Sequence, residues 1–235
     1  MPLPRGVILG IEISNPSART QHAPWAPGVA LARVADAVPV LLAFEPLAGQ
    51  SPHDDDLLPA VARLCRAGDV RPADLAGVAV SVGPGGFTAL RISVAAGAMI
   101  AEATGARCFA VPTAHVVARR AAQSAPFAVA LASKGDSAWI QVFERADRPR
   151  APGGICTPDA LASLGVARLV ADHYLPDAMR TRAASLGIVI EPPAFDALAC
   201  IEAAADLEPT DPAQLRPLYP REPEAVTKWR ERHEG

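Results

Sequence analysis

The stretch SVGPGGFTALRISVAAGAMIAEATG, residues 81–105, decides how this chain is read. The strand-like AGVAVSVG runs into Gly83, Pro84, Gly85 and Gly86, and an alanine-rich segment of helical character follows. The strand is apolar without alternation, as expected when both faces of a sheet are covered. Thr88 is the expected N-cap of the helix and Gly105 its stop. Ala95, Ala96, Gly97, Ala98 and Ala101 make its middle thin, so another backbone can approach closely. A glycine turn between a strand and a helix aims backbone N–H groups and the positive end of the helix dipole at one point, an arrangement that holds phosphate in many proteins. On that reading Gly83, Gly85, Gly86 and Thr88 form an anion loop. No Walker lysine follows the glycines, and the spacing is not the dinucleotide fingerprint. The competing reading is a tight turn that needs positive φ, with Pro84 fixing its entry.

Upstream, GVILGIEI (residues 6–13), VALARVAD and VPVLLAF read as three consecutive strands, the first two joined by a long loop with three prolines. From Asp55 a helix is expected, with Leu57, Leu58, Val61, Leu64 and Cys65 at helical spacing and acidic residues in its first turn. Downstream, RCFAVPT, a helix from about Ala114 to Gln123, FAVALAS and SAWIQVFE read as the start of a fresh sheet. ARLVADH and GIVIEP follow, separated by the helical PDAMRTRAASLG. Residues 193–207 form one more amphipathic helix, and the segment LRPLYPREPEAVTKWRERHEG is rich in proline and charge. Two α/β halves result.

The 235 residues are 50% hydrophobic, enough for a sizeable core, and the formal net charge is -3. Lysine and arginine are scattered, which argues against an autonomous nucleic-acid surface. Cys65, Cys108, Cys156 and Cys200 form no C-x-x-C pair and read as buried thiols of a reducing cytoplasm. No apolar run approaches the roughly 20 residues of a membrane span, and the start lacks the marks of a signal peptide, so a cytoplasmic chain without a membrane partner is expected.

The run GPGGFTALRISVAAGAMIAEATGARCFAVPTAHVVARRA closely resembles the GPGSFTGLRIGVATAKGLA signature of the TsaB family, also called YeaZ. ILGIEIS stands where that family has ILAIDTS, SPHDDDLLPAVARLC where it has a leucine-rich helix, and PLYPREPEAVTKW where it has a closing P-x-Y-x-R segment. The resemblance implies an α/β fold of the actin-like (ASKHA, ribonuclease H-like) class with two lobes. The first would span residues 1–106 and regain the helix at 193–207, the second residues 107–218, with a tail at 219–235. It also implies a non-catalytic subunit that pairs with TsaD in making tRNA threonylcarbamoyladenosine. TsaE, ATP, a metal and tRNA would be engaged by the complex rather than by this chain, which could form homodimers alone. Helices on either side of the glycine turn would meet TsaD, making Leu57, Leu58, Val61, Leu90, Val94, Ala98 and Ala101 interface candidates.

The chain departs from the family at several places. Glu12-Ile13-Ser14 replaces Asp-Thr-Ser, so Glu12 and Ser14 complete the candidate anion site with a bulky residue between them. Gly86 replaces Ser, and Ala89 and Ser93 replace two glycines, adding side chains to a helix face that the family keeps bare. The opening of the second lobe, ASKGDSAWIQVF, lacks the usual acid and arginine.

As an enzyme of the same fold the chain would need a base and a magnesium ligand, for which Glu12 and Asp54, Asp55 and Asp56 can be nominated. The acidic run is explained more simply as charge at a helix N-terminus. His22, His53, His115, His173 and His233 include no pair four apart, the spacing with which one helix face grips a metal ion. Arg91 is expected to pair with a carboxylate within the fold, and the charged tail to be solvated. The interface reading makes one sharp prediction. Ala98→Arg should abolish co-elution with the partner and leave circular dichroism unchanged; a loss of dichroism would place Ala98 in the core.

Overall fold

In the computed structural model of the chain, residues 3–15, 26–36, 38–47, 56–121, 126–221, 229 and 232–233 are described. The first half comprises β1 (Gly6–Glu12), β2 (Gly28–Val34), β3 (Val40–Pro46), α1 (Leu57–Ala67), β4 (Leu75–Gly83), α2 (Phe87–Thr104), β5 (Arg107–Pro112) and α3 (Thr113–Arg120). The second half comprises β6 (Phe127–Lys134), β7 (Ser137–Arg145), β8 (Arg148–Pro149), β9 (Gly154–Cys156), β10 (Arg168–Ala171), α4 (Asp177–Ser185), β11 (Val189–Glu191) and α5 (Ala197–Ala204).

Two sheets repeat one topology. The first has the order β3-β2-β1-β4-β5, with an antiparallel meander β1–β2–β3 and parallel β4 and β5. The second has the order β11-β10-β6-β7-β8, with β6–β7–β8 antiparallel and β10 and β11 parallel to β6. The internal symmetry that the sequence only suggests is therefore present in the strand order. This is the two-lobed mixed α/β architecture of the actin-like class.

The apolar runs of β1 and β4 are buried on both faces. Leu9, Ile11, Val78 and Val80 point to one side, against α1 and α2. Ile8 and Ala79 point to the other, against α3 and α5. Strand side chains alternate, so a strand covered on both sides cannot alternate in polarity. The second lobe follows the same rule, with Ala128 and Ala130 on one face of β6 and Phe127, Val129 and Leu131 on the other. Helix α3 lies between the lobes, its Val116 in the first core and its Ala114, Val117 and Ala118 in the second.

Several boundaries differ from those expected. Strand β5 pairs in parallel with β4, Cys108 beside Val78, and so closes the first sheet instead of opening the second. Helix α2 is the crossover of this β4–α2–β5 unit. Nothing in RCFAVPT itself distinguishes the last strand of one sheet from the first of the next. Residues 210–218 also lie on the first lobe. Thr210 N–H bonds the Cys108 carbonyl at 2.7 Å, Leu215 enters the first core, and Leu218 N–H bonds the Val82 carbonyl at 2.7 Å. Helix α2 begins at Phe87 with Gly86 as its N-cap, so Thr88 is the second helical residue rather than the cap. Gly105 stops it in the left-handed conformation, at φ 71°. Helix α3 ends at Arg120, with Ala121 already extended, and residues 122 and 123 of the expected continuation lie outside the described residues, as do most of the loop at 15–28, Asp54, Asp55, His22 and His53. All four cysteines are free and buried.

The thin middle of α2 has a cause inside the lobe. A Cβ on Gly97 would run into Val80 Cγ2, a stiff β-branched side chain that is wholly buried. Gly97 therefore lets α2 ride directly on β4, and Ala96 and Ala101 are buried on neighbouring turns. Gly97→Ala gains roughly 1 kcal/mol of helix propensity but must force α2 off β4, and overpacking costs about 1–3 kcal/mol. The expected outcome is a net loss of stability by urea denaturation; an equal or higher midpoint would show that the α2–β4 gap can open freely.

Candidate functional site

Two features of the first lobe bear on function: the buried floor where β1 ends beneath the glycine turn, and the outward face of α1 and α2. Ser14 and the turn are in backbone contact. Gly86 N–H donates to the Ser14 carbonyl at 2.7 Å. A Cβ on Gly85 would collide with that same carbonyl. The glycine at 85 is thus required by the approach of the protein's own backbone, and the Gly83–Pro84 peptide beside it is cis. Of the candidate anion loop, Gly83, Gly85 and Gly86 do come together with Glu12 and Ser14, while Thr88 is exposed at the start of α2. The space between Ser14 and the turn is filled, and one of the turn's donors is already used.

Glu12 is fully buried. Its Oε1 accepts from Ser14 N–H at 2.7 Å and from the Ser14 hydroxyl at 2.6 Å, and its Oε2 has no hydrogen-bond partner. Burial raises its pKa; the hydrogen bonds of Ser14 and Ser81 pull the other way, and the charge of Asp196 adds to the rise. Ser81 and Thr113 hydroxyls share a 2.8 Å hydrogen bond beside it, and the Cys200 thiol donates to the Ile11 carbonyl at 3.8 Å. Asp196 caps α5 through Ala199 N–H at 2.6 Å and pairs with Arg120 at 2.7 Å, while Arg120 also reaches Glu202 at 2.5 Å. This cluster ties α3 to α5. Across the cleft, Asn15 Nδ2 donates to Asp172 at 3.1 Å, joining the β1 loop to the second lobe.

The seven residues expected at a partner interface divide sharply. Leu57, Val61, Val94 and Ala101 are buried in the chain's own core against the first sheet, and Leu90 is wholly buried beside Gly83. Leu58 is 46% exposed and Ala98 is half-buried. The apolar spacing of a helix marks its core face first, and these five belong to it. The outward face of α2 is carried instead by Phe87 (53% exposed), Arg91, Ile92, Ala95, Met99 (63% exposed), Glu102 and Ala103. The sequence held a usable signal for this face. Taking Gly97 as the point of contact with the sheet places Thr88, Ile92, Ala95 and Met99 on the opposite side at 3.6 residues per turn.

Ala98, Met99, Glu102, Ala103, Pro212 and Ala213 line a groove of about 600 Å³ where α2 meets the returning chain. An arginine at 98 would meet that chain, so Met99 is the cleaner probe of the outer face. Of the two added side chains, Ser93 turns inward and its hydroxyl donates to the Leu90 carbonyl at 3.1 Å, while Ala89 is half-buried. Arg91 makes no ion pair among the described residues; its guanidinium lies 5.4 Å from the centre of the Phe87 ring. By length and composition α2 could cross a membrane, but its inner face is packed on β4. Among the described residues no group of three His, Cys, Asp or Glu side chains could hold a metal ion.

The family model described as TsaD, tRNA N6-adenosine threonylcarbamoyltransferase, matches residues 44–149, which take in α1, the glycine turn and α2. No curated protein matches the chain by sequence. Among solved structures, the chain is similar to an uncharacterized protein with similarity to peptidase YEAZ from Pseudomonas aeruginosa, at 19% identity and a TM-score of 0.68, covering 92% of this chain and 100% of that one. It is similar also to YeaZ from Pseudomonas aeruginosa, at 20% identity and a TM-score of 0.65, covering 91% and 99%. The fold is YeaZ-like over nearly the whole chain.

The buried acid sets a pH dependence. A carboxyl whose pKa rises on folding contributes stability that is complete below the unfolded value, here near 4.5, and that is lost as pH rises through the folded value. Burial also holds the His115 imidazole down to about 4, which works in the opposite direction, so the expected signature in urea denaturation is a fall, as pH rises above about 4.5, in the stability of the unaltered chain relative to Glu12→Gln. That substitution keeps the shape and removes the charge; identical profiles for both proteins would mean that Glu12 ionises without penalty.

Proposed function

We propose that this chain is a non-catalytic partner subunit that docks on a TsaD-family protein and supports N6-threonylcarbamoylation of adenosine in tRNA. The observation that carries the reading is the outward face of α1 and α2, where Leu58, Phe87, Ile92 and Met99 stand exposed within the stretch, residues 44–149, that matches the TsaD family model. Large exposed apolar side chains gathered on one face mark an interaction surface. Ala95 and Ala103 lie among them, so a facing helix can pack closely between the larger side chains.

The match supports the choice of partner. Because it spans α1 and α2, a TsaD-family protein offers a similar helix pair, and two such pairs can pack about a pseudo-two-fold axis. The same geometry allows the chain to pair with a copy of itself when the partner is absent. ATP, a metal and TsaE belong to the assembled complex in this reading, since the glycine turn of this chain is closed upon Ser14.

Size-exclusion chromatography with light scattering, on this protein mixed with the TsaD-family protein of the same organism, tests the reading. A complex is expected, and Met99→Arg should weaken it by about 2 kcal/mol or more without changing circular dichroism. Separate elution of two folded proteins, or turnover of ATP with magnesium by this chain alone, would overturn the proposal.

A further inference from the structure

The P-x-Y-x-R segment, Pro217 to Arg221, is left without a role by the docking face described so far, and the structure supplies one. Leu218 N–H bonds the Val82 carbonyl at the end of β4. Tyr219 then stacks on Phe87, the first residue of α2, with ring centroids 5.2 Å apart and planes inclined by 26°. Two residues on, the Arg221 guanidinium crosses to the second lobe. It donates to the Ala132 carbonyl at 2.6 Å, to the Ser137 hydroxyl at 2.9 Å and to the Ser137 carbonyl at 3.3 Å. Ala132 has φ 49°, a left-handed conformation uncommon for a residue with a side chain, and sits where the β6–β7 ladder shifts register.

We infer that the docking surface extends from α2 onto the strap of residues 217–221, with Phe87, Arg91, Leu218 and Tyr219 as its anchor and Arg221 as the positioning residue that holds the strap to the second lobe. The inference rests on the docking role proposed above and commits to the same occupant, a TsaD-family protein. Leu218 and Tyr219 are each 37% exposed, and with Phe87 they continue the outward face of α2 past its N-terminus. A rigid aromatic pair beside an arginine is the composition of an interface hot spot. Arg91, lying over Phe87 and without an ion pair among the described residues, fits a partner that presents a carboxylate beside an apolar side chain. Single-stranded RNA could also stack on such a pair, but the net charge of -3 and the absence of a basic stripe favour the protein.

The test uses the full chain and the TsaD-family protein, with affinities from calorimetry and amide exchange on the isolated chain. Tyr219→Ala should weaken binding about tenfold or more. Arg221→Ala should weaken it too and should speed exchange of the Leu218 amide and of the 132–137 hairpin, with partial recovery in Arg221→Lys. If Met99→Arg abolishes binding while Tyr219→Ala leaves it within about twofold, the α2 docking role stands and the strap lies outside the surface. If Arg221→Ala leaves exchange unchanged, Arg221 does not hold the strap. If the unaltered chain does not bind the partner, the docking role fails and takes the surface with it, while exchange still decides the part played by Arg221. Binding of tRNA by the isolated chain that Tyr219→Ala removes would overturn the choice of occupant.

Discussion

The close approach of α2 to β4 is the contact on which the first lobe depends. It exists because position 97 has no side chain, so the helix backbone settles onto Val80. That approach buries Leu90, Ser93, Val94 and Ala101 and, by the geometry of a helix, turns Ile92 and Met99 outward, while Phe87 stands exposed as the first residue of the helix. The inner packing therefore determines which residues remain for a partner. A helix with a bulkier residue at 97 would stand off the sheet, and both faces would change.

The glycine turn at the head of α2 obeys a related constraint. Its glycines admit the Ser14 backbone, and the Gly86 N–H is bonded to the Ser14 carbonyl. Beneath this contact lies a carboxyl that has lost its water and keeps hydrogen bonds on one oxygen only. Burial of that kind favours the neutral acid. The carboxyl is a packed element of the floor on which the turn rests.

The returning chain after α5 links these two regions. It passes under the C-terminal half of α2, bonds the ends of β4 and β5, and reaches the hairpin of the second lobe through Arg221. An arginine facing carbonyl and hydroxyl oxygens rather than a carboxylate holds geometry more than charge. The orientation of the lobes and the shape of the α2 end are thereby joined through a segment whose composition reads as a loose tail.

Much of the fold is legible in the residues themselves. An unbroken apolar run marked β4 as a doubly covered strand, a strand-like run marked β1, and the glycine turn, Gly105 and the spacing of Leu57, Val61 and Leu64 marked the helices. The two-lobed class was carried by the resemblance of four ordered motifs. Local pattern could not assign β5 to a sheet, because a strand's partners are chosen by long-range hydrogen bonds that leave no trace in its own side chains. Apolarity alone could not tell the core face of α2 from its outward face either, since both are apolar; Gly97 was the one clue, and contact with β4 is what distinguishes them. Nor could local pattern show that the glycine turn is closed or that Arg221 spans the lobes. Those features arise where segments far apart in the chain meet, so the sequence by itself determined the elements and their class, and the tertiary structure decided which surfaces were left exposed.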